Sequence, residues 1–209
     1  MSKSTRHKVH SAPRRHTIQT IPLSHRYQTT QRYKQMKTQD FTTTLLVEQT
    51  PGEVFNAINN VRGWWSEEVE GTTDALHGEF DYHYKDVHRC KMRLIEFVPD
   101  KKVVWHVLDN NFSFTKDKRE WKDTKISFEI SEKDNKSGSH QTQLRFTHIG
   151  LVPDYECYDI CKEGWNNYIN LSLRNLITTG KGQPNPKEGG FNQHLIDSTP
   201  HTTSNTLAL

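Results

Sequence analysis

The sequence predicts an α+β fold in which a curved antiparallel sheet wraps around one long C-terminal helix, with two short helices after the first strand. Three observations predict it. Apolar and polar residues alternate in five short segments between residues 41 and 148, which is typical of strands that bury one face. Turn-forming residues separate these segments. Near the end, apolar residues recur every three or four positions, which is typical of an amphipathic helix packed on a sheet.

The first elements are a strand and a short helix. Alternation over residues 41–47 predicts the strand. The sequence Thr-Pro-Gly-Glu at 50–53 then supplies a hydroxyl N-cap, a proline at the first helical position and a glutamate at the third, which together form a capping box. Asn59 and Asn60 interrupt this helix, and residues 61–65 predict a second short helical turn.

Five further antiparallel strands follow, four by the same alternation and one, over 103–108, from the turn that precedes it. They cover residues 80–84, 90–94, 103–108, 126–130 and 144–148. Val98-Pro99-Asp100-Lys101 is a turn, because proline presets the backbone and aspartate bonds to the local chain. It makes the second and third of these strands a hairpin. The polar loop from Lys133 to His140 joins the last two.

The last element is one long amphipathic helix. Asp154 is expected to cap it after Pro153, and Gly180 to end it. About 25 residues at 1.5 Å each give a length of roughly 38 Å. Its inner face is predicted to carry Cys157, Cys161, Trp165, Tyr168, Leu171 and Leu176.

Charge divides the chain into unlike parts. The first 35 residues carry eight Lys or Arg side chains and no Asp or Glu, whereas the rest is mildly acidic. The predicted organisation is a disordered basic arm over 1–38, a folded domain over 39–182 and a flexible polar tail over 183–209. The arm could bind nucleic acid weakly, serve as an organelle transit peptide, or be an upstream extension before Met36 without a role.

Composition excludes several classes of protein. No segment has the roughly 18 to 20 consecutive apolar residues of a membrane span, and the start lacks the apolar core of a secretory signal. A cytoplasmic protein without membrane contact is therefore expected. Three cysteines are too few for a disulfide scaffold. Cys157 and Cys161 have no evident third and fourth metal ligand, so no metal and no cofactor is expected.

Two motifs resemble those of a known family. The run Arg-Phe-Thr-His-Ile-Gly-Leu at 145–151, the later Gly164-Trp165 and the order of elements resemble the START-like (SRPBCC) superfamily over residues 40–182. Within it, the C-terminal domain of the activator of the heat-shock protein 90 ATPase is the most similar branch. The resemblance implies a helix-grip fold, in which the long helix closes a deep apolar cavity against the concave sheet. Residues 1–35 do not match the separate N-terminal domain of the eukaryotic activator.

Aromatic side chains dominate the predicted inner face. Each such ring buries about 150 to 250 Å² and can form a rigid pocket wall. The alternative is that the same rings fill a solid core. The candidate ligand-binding residues are Trp65, Phe80, Tyr82, Met92, Leu94, Trp105, Phe112, Trp121, Phe128, Phe146, His148, Trp165 and Tyr168.

His148 is the candidate residue with the widest range of possible chemical roles. Its alternation with Leu144 and Phe146 places the imidazole on the apolar side, where it could be a general acid or base, a donor to a ligand or a metal ligand. The alternative is a hydrogen-bonded core histidine. No catalytic residue is assigned.

Three function classes therefore stay open. The first is binding of a small hydrophobic or aromatic ligand, lipid- or polyketide-like, between sheet and helix. The second is a protein-interaction module resembling the heat-shock protein 90 activator, with a chaperone as its partner. The third is a cyclase- or aromatase-like enzyme, as in related folds, and this would require His148.

Overall fold

A computed structural model of the chain describes residues 39–134 and 140–187, which form the predicted α+β arrangement. The strands are β1 (Phe41–Val47), β2 (Val69–Gly71), β3 (Glu79–Tyr84), β4 (His88–Val98), β5 (Lys102–Phe112), β6 (Lys125–Asp134) and β7 (His140–Ile149). They form one antiparallel sheet in the order β1-β7-β6-β5-β4-β3-β2. The predicted arm over 1–38 and residues 188–209 of the predicted tail lie outside the described residues.

The sheet curves because the pairing of β4 with β5 is irregular. Its register shifts between Lys91 and Met92, and again between Leu94 and Glu96. Such bulges bend a strand and increase its local twist. The predicted hairpin forms at this place, with the turn closed by a hydrogen bond from the Lys101 amide to the Val98 carbonyl at 3.1 Å.

Helix α1 (Pro51–Asn59) begins at the predicted capping box. The Thr50 hydroxyl accepts from the Glu53 amide at 3.3 Å, and the Glu53 carboxylate accepts from the Thr50 amide at 2.8 Å. The second short helix is a single 3₁₀ turn, Val61–Gly63. Both short elements bury their apolar residues under the sheet.

The C-terminal helix is continuous but not α-helical throughout. Helix α2 (Tyr158–Asn167) passes into a π-helical segment (Tyr168–Leu173) and then into α3 (Arg174–Thr179). Cys157, rather than Asp154, occupies the N-cap, so the predicted start was wrong by one turn. Gly180 ends the helix in the left-handed conformation, with φ of 77°.

The π-helical segment changes which residues face the sheet. Buried residues recur at every fourth position: Cys157, Cys161, Trp165, Ile169, Leu173 and Ile177. In an α-helix such a row drifts by about 40° at each step, and the wider π turn offsets part of that drift. Leu171 was predicted to face inward and is 43% exposed. That prediction was wrong because an α-helical period was assumed over the whole helix.

The folded domain continues beyond the predicted boundary at residue 182. Asn185 is fully buried. Its backbone amide donates to the Trp65 carbonyl at 2.9 Å, and its backbone carbonyl accepts from the Glu67 amide at 2.9 Å.

Among the described residues, no helix is both long and apolar enough to cross a membrane.

Candidate functional site

All thirteen candidate residues are buried, but they do not surround one hollow. Six of them line a cleft between helix α2 and strands β3 to β5, together with six residues that were not among the thirteen candidates. The predicted members are Trp65, Tyr82, Phe112, Trp121, Trp165 and Tyr168, and the others are Tyr84, His88, Phe114, Ile160, Cys161 and Gly164. We call these twelve residues the aromatic cleft. Whether they bind a ligand stays a prediction.

The enclosed part of the aromatic cleft is small. Its cavity volume is about 50 Å³, and the cleft with its open mouth encloses about 450 Å³. A water molecule takes about 30 Å³ of liquid volume, whereas an engineered cavity that holds benzene has about 150 Å³. The enclosed space therefore suits a water or two, and a larger molecule has room only towards the mouth.

The other candidates form the core beside the cleft. They are Phe80, Met92, Leu94, Trp105, Phe128, Phe146 and His148. The Trp105 ring lies 5.1 Å from Phe80 and 4.8 Å from Phe128, centroid to centroid. Most of the space where the resemblance implies a deep cavity is thus filled by rings in contact.

His148 is a hydrogen-bonded core residue. Trp165 Nε1 donates to His148 Nδ1 at 3.0 Å, and His148 Nε2 lies 2.9 Å from Thr124 Oγ1. An indole N–H can only donate, so Nδ1 accepts and Nε2 carries the proton towards Thr124. The Thr124 hydroxyl itself donates to the Trp121 carbonyl at 2.5 Å. Burial lowers the pKa of His148 to about 3, and both ring nitrogens of the neutral form are engaged within the protein.

His88 is the histidine that reaches the cleft. Its Nε2 lies 2.9 Å from Asn110 Oδ1, and Asn110 Nδ2 donates to the Lys118 carbonyl at 3.0 Å. That second bond orients the amide, so His88 Nε2 donates and Nδ1 keeps a lone pair. Burial lowers the pKa of His88 to about 3, against a smaller opposing effect of the Asn110 bond. No Asp, Glu, Lys or Arg lines this cleft among the described residues, so its wall is neutral.

Trp121 supplies an unused donor at the cleft. Its Nε1 is buried and has no hydrogen-bond partner. Its ring is stacked on Trp165 at 5.6 Å and is perpendicular to His88 at 4.8 Å. A buried donor without a partner costs about 1 to 3 kcal/mol, which a hydrogen-bond acceptor able to reach it would recover.

The unpredicted members of the cleft had weak sequence signals. His88 continues, two residues back, the alternation of Cys90 and Met92 that predicted strand β4. Ile160 lies four residues before Gly164, and Gly164 four before the predicted Tyr168, so helical spacing could have included them. Phe114 lies in the irregular segment after β5, where no period applies.

A wider groove of about 420 Å³ runs over the polar side of β3 and β4. Charged side chains line it, and several are already paired: Lys91 with Glu79 at 3.1 Å, and Asp109 with Arg119 at 2.6 Å. It lies open to solvent. The aromatic cleft is the better candidate, because it combines partial enclosure with an unsatisfied hydrogen-bond donor, Trp121 Nε1.

Comparison with protein-family models and with curated proteins finds no match. Solved structures match at low identity. An HSP90 activator from Plasmodium falciparum is 20% identical, with 66% of this chain and 92% of that chain covered, at a TM-score of 0.44. A protein from Mesorhizobium loti is 12% identical, with 62% and 92% covered, at a TM-score of 0.45.

A further match is DynU16, encoded in the dynemicin biosynthetic locus. It is 12% identical, with 68% of this chain covered, at a TM-score of 0.45, and this chain spans 48% of its length. These likenesses concern the fold alone. The helix-grip arrangement implied by the sequence resemblance is confirmed by the sheet order and the long C-terminal helix.

Proposed function

We propose that the protein binds a small, neutral aromatic ligand in the aromatic cleft. The observation that carries the proposal is a partly open cleft walled by nine rings and by no charged side chain. Ligand sites commonly enclose about 300 to 1,000 Å³ and are mostly apolar with a few placed polar groups. The enclosed volume of this cleft, about 50 Å³, is below that range, so the ligand would also occupy the open mouth. A long lipid or a large polyketide fits less well, because rings fill the interior.

The polar groups of the cleft favour a ligand with an oxygen atom. Trp121 Nε1 offers a donor without a partner, and the bonding of His88 leaves Nδ1 as an acceptor. A phenol or an aromatic carbonyl compound would complement this pair. A charged group would lose its hydration without gaining an opposite charge, which is costly in an apolar site.

Probe binding tests the proposal. N-phenylnaphthylamine is neutral and aromatic, and its fluorescence rises in apolar sites. Ile160 is half-buried in the cleft wall, so Ile160→Trp would fill the mouth and is expected to weaken binding at least about tenfold. Leu171→Trp is the matched control, since Leu171 is exposed on the same helix. Absence of binding by the unmodified protein, for this probe and for a panel of phenols, lipids and polyketides, would refute the proposal.

A second candidate is a protein-interaction module like the heat-shock protein 90 activator. The filled interior favours it, because a solid core leaves function to the surface. Stimulation of the chaperone's ATPase by the full chain would support this candidate, and no stimulation at saturating concentration would remove it. We do not extend the proposal to a cyclase or aromatase, because both nitrogens of His148 are bonded.

The cytoplasm is the compartment we propose. Cys90, Cys157 and Cys161 are all free thiols, as is usual for proteins of reducing compartments. All three are buried, and burial raises the pKa of Cys90 well above its ordinary value. Fractionation of the host cells would test the placement.

A further inference from the structure

The segment over residues 182–187, which we call the strap, contacts two side chains that line the aromatic cleft, Tyr82 and Tyr168. We propose that Asn185 in the strap is the gating residue of the cleft, and that an aromatic ligand gains access when Asn185 releases the hydroxyls of Tyr82 and Tyr168. This inference rests on the proposed function.

Backbone hydrogen bonds attach the strap to the domain. The Asn185 amide donates to the Trp65 carbonyl at 2.9 Å, and the Glu67 amide donates to the Asn185 carbonyl at 2.9 Å. This places Asn185 parallel to Ser66 in an isolated β-bridge, in the segment that precedes strand β2. The strap is therefore attached to the chain between the 3₁₀ turn and β2.

Prolines on both sides of Asn185 reduce the conformational entropy that is lost when the strap docks. Pro184 and Pro186 have no N–H, so Asn185 carries the only amide donor of the three residues, and Trp65 accepts it. Each proline also fixes its own φ, and Pro186 favours an extended conformation at Asn185 before it. The strap thus loses little conformational entropy when it docks.

The Asn185 side chain joins the two walls of the cleft. Its Nδ2 lies 2.7 Å from the Tyr168 hydroxyl on the helix and 3.4 Å from the Tyr82 hydroxyl on β3. Both tyrosines line the cleft, and the Tyr82 ring is stacked on Trp65 at 4.3 Å. Asn185 itself is fully buried. One amide therefore holds the polar ends of a sheet residue and a helix residue together.

The start of the strap is also held, by a hydrogen bond at Gln183 and by close backbone packing at Gly182. The Gln183 amide donates to Ser172 Oγ at 2.7 Å, and that hydroxyl donates to the Trp64 carbonyl at 2.7 Å. A Cβ on Gly182 would overlap the Gly63 carbonyl oxygen, so the chain approaches there only as glycine. Lifting Asn185 would break the bonds at Trp65, Glu67 and the tyrosines while leaving the helix and sheet intact.

A gate and a merely structural contact predict opposite effects on binding. For a ligand that binds only the open form, the apparent Kd is the intrinsic Kd divided by the open fraction. Weakening the strap therefore tightens binding and speeds association. If Asn185 only stabilised the cleft walls, its loss would weaken binding.

Asn185→Ala is the test, with Gln183→Ala as the matched control. Gln183 lies in the same strap, but its side chain is exposed. Stopped-flow mixing of the full chain with N-phenylnaphthylamine is expected to show association roughly five- to tenfold faster and affinity raised by a similar factor for Asn185→Ala, which is the effect of losing about one hydrogen bond. Gln183→Ala is expected to match the unmodified protein. Hydrogen exchange should quicken at the amides of Asn185 and Glu67.

The outcomes separate this inference from the proposed function. If the unmodified protein binds the probe and Asn185→Ala binds it equally or more weakly, the gate is refuted while the proposed function stands. If the unmodified protein binds neither this probe nor the panel of phenols, lipids and polyketides, the proposed function is refuted and the gate with it. Should Asn185→Ala not fold, Asn185→Ser decides in the same way, because serine is too short to reach both hydroxyls.

Discussion

Replacing His148 by leucine is expected to reduce the acid sensitivity of the fold. In the folded protein the pKa of His148 is lowered to about 3 by burial, whereas in the unfolded chain it should be near the ordinary value of about 6.5. Between these two values the unfolded chain binds a proton that the folded protein does not. Stability is therefore lost as pH falls from about 6.5 towards 3, and leucine at this position has no proton to bind.

The size of the effect follows from the two pKa values. With about 6.5 unfolded and about 3 folded, His148 lowers the free energy of unfolding by about 2 kcal/mol between pH 7 and pH 5. His148→Leu also leaves Trp165 Nε1 without its acceptor, which costs about 1 to 3 kcal/mol at both pH values. The variant should be less stable than the unmodified protein at pH 7 and close to it at pH 5.

Urea denaturation at pH 7 and pH 5, followed by tryptophan fluorescence, measures this difference. His88 is present in both proteins, so its own contribution cancels. Thr124→Val is the control: it removes the hydroxyl beside His148 Nε2 but keeps the buried imidazole, so it should lose stability at both pH values and retain the full dependence on pH. A parallel loss of stability in His148→Leu and the unmodified protein would show that His148 is not held neutral.

Further predictions concern stability, each measured by urea denaturation. Thr50→Ala removes the N-cap of α1 and should cost about 1 kcal/mol; an unchanged midpoint would contradict the capping geometry. Leu171→Ala should change stability by less than about 0.5 kcal/mol, because Leu171 is exposed, whereas Leu173→Ala should cost about 2 to 5 kcal/mol. The reverse order would contradict this assignment of the buried side of the helix. Gly182→Ala should cost about 1 to 3 kcal/mol, since the added Cβ overlaps the Gly63 carbonyl, and no loss would mean that the strap is displaced at little cost.

The long strands and the first helix could be predicted because local rules decide them. Alternation marks β1, β3, β4, β6 and β7, the turn at 98–101 marks the start of β5, and the capping box of α1 needs only four consecutive residues. Strand β2 has three residues, which is too short for a period of two to be visible. It forms because it pairs with β3, and that contact is not local.

In the C-terminal helix, periodicity alone could not predict which residues are buried. A pattern of three- and four-residue steps is compatible with burial of Leu171 and also with burial of every fourth residue through Leu173. The pattern does not indicate where the helix changes from α to π. Ser172 explains part of the orientation of the helix about its axis. Its hydroxyl is fully buried and bonds to the Trp64 carbonyl, so a distant residue fixes the rotation of the helix.

The strap was missed for a different reason. Glycine, proline and polar residues after Gly180 are typical of a flexible tail, and the composition of residues 181–187 is of that kind. Burial of Asn185 depends on two tyrosines about 17 and 103 positions earlier in the chain. Only the folded sheet and helix bring those hydroxyls together.

The deep cavity was beyond sequence reasoning because an inward ring pattern is the same for a hollow and a filled interior. What decides is the short 3₁₀ turn, which places Trp64 and Trp65 beneath the helix. Trp64 is stacked on Trp105 at 6.3 Å, and Trp65 lies 5.2 Å from Trp165. Two tryptophans thus occupy the space that a deep ligand would need, and the aromatic cleft lies beside them, lined by Trp65, Phe112 and Phe114 among others. Side chains at the mouth are therefore expected to control entry at that end, whereas the strap acts at the opposite side of the cleft, where it contacts Tyr82 and Tyr168.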